Sequence, residues 1–321
     1  MGPMLLKPVG KDNLWGGNRL KTEFHKDISI SPLAETWECS AHPDGPSTIV
    51  NGEFAGSTLD IVLKKHPELL GTKTDKRYGL PILVKFIDAK RDLSIQVHPD
   101  DEFARQNEND FGKTEMWYVL DADEGASLVY GFAHDISTEL LCRAVRAGDL
   151  DKHLNKIEVH KGDFFFIPAG TVHGVGAGCL LAEIQESSNV TYRLYDYNRA
   201  DKNGNKRTLH LNKALQVLDR KTGQRYVQKA RLVEYYPGYS REMLCKCRYF
   251  ETEHICIKTE ADIIVTNDSF QVLLFINGHG ELKTKDNQEP LVYKKGDCVF
   301  IPAGTGECLI IGECELLKVC Y

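Results

Sequence analysis

The segment Leu93-Ser94-Ile95-Gln96-Val97-His98-Pro99-Asp100 sets an amide and an imidazole two residues apart. Side chains alternate along an extended strand, so Gln96 and His98 share one face while Ile95 and Val97 take the other. Downstream, Glu115 opens a β-rich run, and His173 closes the turn Pro168-Ala169-Gly170-Thr171-Val172-His173, with Gly174 beside it leaving room for a ligand. Two imidazole nitrogens, one carboxylate oxygen and one amide oxygen suit a borderline divalent ion, zinc above all, with a position left for water or substrate. That open position marks a catalytic metal rather than a structural one. Taken singly, each residue has a plainer use: His98 capping a turn, Gln96 bonded to backbone, His173 a satisfied buried histidine. Their joint placement is what points to a metal.

The elements that would hold these groups occur twice. Lys161-Gly162-Asp163-Phe164-Phe165-Phe166-Ile167-Pro168-Ala169-Gly170-Thr171 repeats as Lys295-Gly296-Asp297-Cys298-Val299-Phe300-Ile301-Pro302-Ala303-Gly304-Thr305. Each copy reads as a Gly-Asp turn, an apolar strand and a turn begun by a proline that cannot donate to a ladder. Cys179 to Gln185 and Glu313 to Val319 supply a strand after each copy. Before the first, Glu115 to Leu120 and Ala126 to Phe132 predict a hairpin, and Ser269 to Ile276 with Gly280 to Thr284 predict its counterpart before the second. The chain is therefore expected to be mainly β, two cupin-type (jelly-roll) barrels with a few helices.

Helices are expected after Ser57, which can cap the run holding Ile61, Val62 and Leu63, and over Ser137 to Arg146, with Gly148 just beyond. The stretch 202–220 reads as a loop, then a helix with Leu211, Leu215 and Leu218 packing between the halves. Residues 1–235 form the expected catalytic unit with its helical additions, and 236–321 a cupin-like unit lacking metal ligands. In the second copy Glu307 stands where His173 stands in the first, and no Gln–His pair precedes it. Glu307 and His279 read as solvated turn residues.

The chain has 321 residues, 42% of them hydrophobic and 27% charged, with a net charge of -6. Such a mildly acidic surface disfavours nucleic acid, which demands clustered Lys and Arg, but leaves room for a small anion held by a few basic groups. Apolar runs fall short of a membrane span and the N-terminus lacks signal-peptide features, so a cytoplasmic protein is expected. Ten cysteines are scattered through the chain without a C-x-x-C pair, which predicts free thiols.

The quoted metal segments, together with Gly112-Lys113-Thr114-Glu115-Met116-Trp117-Tyr118, Asn189-Val190-Thr191-Tyr192-Arg193, Trp15-Gly16-Gly17 and Ala34-Glu35-Thr36-Trp37-Glu38, resemble the type I mannose 6-phosphate isomerases. The likeness spans nearly the whole chain, in the form of the short bacterial members. It implies one zinc per chain, held by residues matching Gln96, His98, Glu115 and His173. It also implies an essential arginine at Arg193, a candidate acid or base at Glu183, and substrate contacts at Lys113 and Ser94. Lys85 and Arg91 lie beside the metal segments and join Lys113 as candidates for a phosphate cradle.

The implied reaction interconverts mannose 6-phosphate and fructose 6-phosphate through an enediol(ate), with a metal as Lewis acid and no organic cofactor. The proton-transferring base stays open between Glu183 and a water on the metal, and Arg193 has a structural alternative in an ion pair with Asp196. Two other classes remain at this level. A cupin oxygenase would use two histidines and a carboxylate for Fe(II), and a sugar-binding module would keep the barrel without turnover. Oligomeric state leaves no mark in the sequence.

Overall fold

The computed structural model describes residues 2–76, 78–200, 203–221, 231–285 and 289–321. Strands dominate and helices are few. A six-stranded sheet runs in the order Phe164–Ile167, Glu115–Ala122, Cys179–Glu186, Ile82–Ala89, Glu35–Cys39 and Val9–Lys11. A five-stranded sheet runs Tyr192–Tyr195, Ile95–Val97, His173–Val175, Ser127–Phe132 and Leu154–Glu158. Trp117, Val119, Ile87 and Leu181 from the first interlock with Leu128 and Val175 from the second, so the two sheets share one apolar core.

Each sheet buries its other face as well. Helices Thr138–Ala147 and Leu211–Val217 cover the five-stranded sheet, through Leu141, Ala144 and Ala214 against Ile95, Val97 and Leu194. The helix 211–217 thus lies on the strands that carry Gln96 and Arg193 rather than between the two halves. The far face of the six-stranded sheet, with Val84, Phe86, Met116 and Ile184, packs on Val272, Leu274, Phe300 and Leu317 of a ten-stranded sheet built mostly from the C-terminal part. Strands Met4–Lys7 and Thr48–Ile49 extend that third sheet, Met4–Lys7 pairing with Cys298–Ile301.

The expected hairpin at 115–132 is an arch. Glu115–Ala122 pairs with Phe164–Ile167 and Cys179–Glu186, whereas Ser127–Phe132 pairs with His173–Val175 and Leu154–Glu158 in the other sheet. Asp123 accepts from Ala126 N at 3.0 Å and donates its own N–H to Gly178 O at 3.1 Å, which turns the chain across the core. Crossing over lets both amphipathic strands bury their apolar faces against each other. The second predicted hairpin is one bent strand, Gln271–Thr284, with a register shift between Phe275 and Asn277. Its bend needs Gly278, at φ 79°, where a Cβ would lie 2.0 Å from Glu313 O.

Ser137 caps its helix by accepting from Leu140 N, and Gly148 closes it in the left-handed region, as read from sequence. The helix expected after Ser57 begins at Leu59, with Thr58 rather than Ser57 at the cap position and no side-chain cap bond. All ten cysteines are free thiols. No helix among the described residues is long and apolar enough to cross a membrane.

Candidate active site and metal centre

The short strand Ile95–Val97 pairs antiparallel with His173–Val175 so that Gln96 stands opposite His173. His98 follows one residue past the strand. Glu115 reaches the same point from the opposing sheet, where its strand starts. His98, Glu115 and His173 are buried, and one ligand atom from each lies within 4.8 Å of the others. Two sheets therefore converge on one spot at the mouth of their shared core.

Hydrogen bonds fix how the two imidazoles present themselves. His98 Nδ1 lies 2.8 Å from Val190 O and His173 Nδ1 lies 2.8 Å from Thr171 O. A carbonyl only accepts, so each Nδ1 carries the proton and each Nε2 offers a lone pair inward. The Nε2 atoms are 3.2 Å apart, and they approach Glu115 at 3.5 Å from His98 and 3.2 Å from His173. Burial, then the Lys113 charge, hold His98 well below the usual histidine range, and burial brings His173 down to about 4. Both rings are neutral, as metal ligands must be.

Glu115 is 0% exposed, and neither of its oxygens receives an aligned hydrogen bond among the described residues. Lys113 Nζ supplies positive charge 3.2 Å from Glu115 Oε2 and 3.2 Å from His98 Nε2. Even so, burial outweighs Lys113 and raises the Glu115 carboxyl above its usual range. A buried carboxylate and two inward lone pairs form a donor set that a divalent cation satisfies. Gln96 stands beside this set: its amide lies 3.4 Å from His173 Nε2 and 3.4 Å from Ser94 Oγ, and a half-turn exchanges its oxygen and nitrogen.

Gln96 and Lys113, which touch this centre, also line a cleft of about 500 Å³ together with Ser94, Lys85, Glu183 and Arg193 among others. Glu183 accepts from Trp117 Nε1 at 2.9 Å and pairs with Lys85 Nζ at 3.0 Å. Burial pushes the Glu183 carboxyl up, but Lys85 and then Lys113 override it and hold it well below the carboxylate range. Lys85 is correspondingly raised by Glu183 and Glu35, against its own burial. Arg193 donates to Ser94 Oγ at 3.3 Å and to Thr208 O at 2.9 Å. Asp196 bonds Arg207 and Arg199 instead, so the ion pair considered for Arg193 is made by other arginines.

Two expectations need correction. Arg91 is exposed and stands outside the residues lining the cleft, because Trp15 O holds its backbone N–H at 3.0 Å where the chain turns towards the surface. Gly174 makes room for protein rather than ligand, since a Cβ there would meet Ile95 Cδ1 at 2.9 Å. Sequence reasoning also missed Lys11, Asn189, Thr191 and Arg207 on the cleft wall. Asn189 and Thr191 lie in the quoted Asn189-to-Arg193 motif, which was a usable signal, while Lys11 and Arg207 come from distant segments with none.

Residues 4–127 match the model of the phosphomannose isomerase type I catalytic domain, and 240–321 match the mannose-6-phosphate isomerase cupin domain. A putative mannose-6-phosphate isomerase of Bacillus subtilis, YvyI, is 38% identical over 98% of both chains. The chain belongs to the type I phosphomannose isomerases. ManA of the same organism is 36% identical over 98% of each chain. The crystal structure of the Bacillus subtilis mannose 6-phosphate isomerase superposes with a TM-score of 0.91 at 36% identity, covering 99% of both chains. A mannose 6-phosphate isomerase bound with zinc and yttrium shares the fold at a TM-score of 0.77 and 17% identity. The phosphomannose isomerase described here thus has its inward histidines and carboxylate in a cupin-containing, mainly β fold.

Proposed function

We propose that the enzyme interconverts mannose 6-phosphate and fructose 6-phosphate through an enediol(ate), with one zinc ion per chain held by Gln96, His98, Glu115 and His173. The reading rests above all on the convergence of two neutral imidazoles and the buried Glu115 carboxylate beside the cleft residues Gln96 and Lys113. The zinc of the structural neighbour agrees with it. When bound, zinc supplies Lewis acidity to the sugar's carbonyl and hydroxyl oxygens without changing oxidation state.

The chain's own residues do the rest. Arg193, permanently charged and facing the cleft, stabilises negative charge developing on the enediolate. Glu183, ionised beside Lys85, accepts the proton that moves between the two adjacent carbons. Ser94 orients both the Gln96 amide and the Arg193 guanidinium. Lys113, relieved of its ligand contacts by a divalent ion, is available to a substrate oxygen.

In the same reading the molecule is two jelly-roll barrels, 1–235 carrying the chemistry and 236–321 carrying no metal, and it works in the cytoplasm on a small sugar phosphate. The test is coupled conversion of mannose 6-phosphate in deuterated water, before and after chelation and zinc restoration. Turnover that returns with zinc, with solvent deuterium entering the sugar, is expected. Zinc-loaded, folded enzyme without turnover sinks the reading. Deuterium in the sugar supports the enediol(ate), since a direct carbon-to-carbon hydride shift admits none, whereas its absence alone is also the result of one shielded base returning the same proton.

A further inference from the structure

Among the described residues, five basic side chains line the cleft: Lys11, Lys85, Lys113, Arg193 and Arg207. They are not equally available to an anion. Lys85 is committed to Glu183 at 3.0 Å, and Lys113 to Glu115 at 3.2 Å, and both are buried. Lys11 donates to Asp44 O at 2.6 Å and lies 4.4 Å over the Trp37 ring. Arg193 and Arg207 differ, because what fixes each of them leaves part of its donor fork for the cleft.

Arg207 is fixed by a buried carboxylate. Its Nε donates to Asp196 Oδ2 at 2.8 Å and its Nη2 to Asp196 Oδ1 at 2.6 Å. That two-point contact spends one edge of the guanidinium and leaves the Nη1 side for the cavity wall it forms. Asp196, 5% exposed, also binds Arg199. Arg193 spends Nε and Nη1 on Ser94 and Thr208 O, leaving Nη2. Arg207 and Arg199 thus share this carboxylate while Arg193 lies near them without bonding it, three guanidiniums to one carboxylate, of which Arg193 and Arg207 line the cleft. Burial, and after it the neighbouring Arg207, disfavour the charge on Arg193, with Asp196 acting the other way.

A phosphate dianion offsets such an excess. Its charge of about -1.5 to -2 near neutral pH matches the surplus, and its oxygens accept from planar forks. Asn189 and Thr191 on the same wall add neutral donors. In the substrate the reacting carbons C1 and C2 and the phosphate on C6 lie at opposite ends of the chain, so the phosphate needs partners of its own.

We infer that Arg207, braced by Asp196, anchors the substrate's phosphate group. The inference rests on the sugar-phosphate isomerase reading and adds to it the residue that recognises the anionic end. Arg207 is a binding residue and takes no part in the proton transfer.

Steady-state kinetics of zinc-loaded Arg207→Ala and Arg207→Lys, with inorganic phosphate as the competing probe, test it. Loss of one charged phosphate partner is expected to raise KM for mannose 6-phosphate on the order of 10- to 100-fold and weaken phosphate inhibition by a similar factor. The fall in kcat should be much smaller, with zinc content unchanged and Lys recovering part of the loss. Unchanged KM and phosphate inhibition in an active variant overturns the anchor, and so does a fall in kcat with KM unmoved, which marks a structural role. If Arg207→Ala does not fold, the pair Arg207→Gln with Asp196→Asn keeps the hydrogen bonds without the charges and carries the same readouts. Wild-type enzyme that fails to turn over mannose 6-phosphate at all would sink the isomerase reading instead, so the two failures are distinguishable.

Discussion

His98 Nε2 and His173 Nε2 face each other at 3.2 Å, each a lone pair, because a backbone carbonyl holds the proton on the far side of each ring. Two acceptors at that separation repel unless something positive lies between or beside them. Lys113 Nζ, 3.2 Å from His98 Nε2, offsets that repulsion from one side, and a bound zinc is expected to take over its place. Replacing Val190 O or Thr171 O is not practical, but the ligands are accessible to mutation. Glu115→Gln or His98→Ala should lower zinc retention after dialysis by at least about 100-fold, more than the 10- to 100-fold typical of outer-shell partners. Activity should fall with it, and metal analysis alongside kinetics checks both. A variant that keeps its zinc while losing activity would move the ligand role elsewhere.

Glu186 predicts an alkaline sensitivity. Its side chain is buried, and its Oε1 accepts from Thr114 N at 2.7 Å, pinning the segment that carries Lys113 and leads into Glu115. Burial pushes this carboxyl up to about 8, with Thr114 pulling it down and Asp101 adding to the rise. A carboxyl whose folded value lies above its unfolded value of about 4.3 contributes stability that is full below that value and is lost as pH rises through about 8. Glu186→Gln, which keeps an acceptor for Thr114 and never ionises, should therefore gain in Tm relative to wild type as pH climbs from about 5 to 9. Parallel Tm curves for the two proteins would remove Glu186 from the account.

Much of the site could be read from sequence because strand alternation is strict. Gln96 and His98 share a face by period alone, and the repeated Pro-Ala-Gly-Thr turn placed His173 at a strand end. What failed was non-local. The arch at Asp123 and a hairpin carry the same turn residues, and only the packing of two sheets decides between them. Gly278, between the two strands expected to form the second hairpin, serves a close strand approach to Glu313 instead. Arg207 reaches the cleft through its bond to Asp196, a pairing that no local pattern encodes.

Lys85 and Glu183 form a pair in which stability and chemistry separate. Both are about 95% buried, 3.0 Å apart, with Glu35 a further 3.9 Å from Lys85. Glu183→Gln leaves a buried ammonium without its close anion, which typically costs about 3–5 kcal/mol. The double variant Lys85→Met with Glu183→Gln should recover much of that stability, since the orphaned charge is gone, yet stay inactive because the candidate base is absent. Denaturant midpoints with kinetics on the same samples check this. Activity in the double variant would remove Glu183 as the proton acceptor. Glu183 is held low by Lys85, so its share of stability is present above the unfolded value and is lost only as pH falls into the acid range.

The C-terminal half should be indifferent to metal. Where the first half gathers ligands at the mouth of its core, the second fills its interior with Ile255, Leu273, Phe275, Tyr293, Ile301, Ile310 and Leu316. Glu307, the positional counterpart of His173, is exposed, and so is His279. A ligand set needs atoms converging within a few ångströms, and solvated residues on the outside of an apolar core offer no such point. Glu307→Ala and His279→Ala are therefore expected to keep one zinc per chain and wild-type kcat, with stability within about 0.5 kcal/mol of wild type. Metal stoichiometry and urea midpoints measure both. A drop in zinc content in either variant would show that the second half binds metal after all, and would overturn the division of the chain into a catalytic half and a metal-free one.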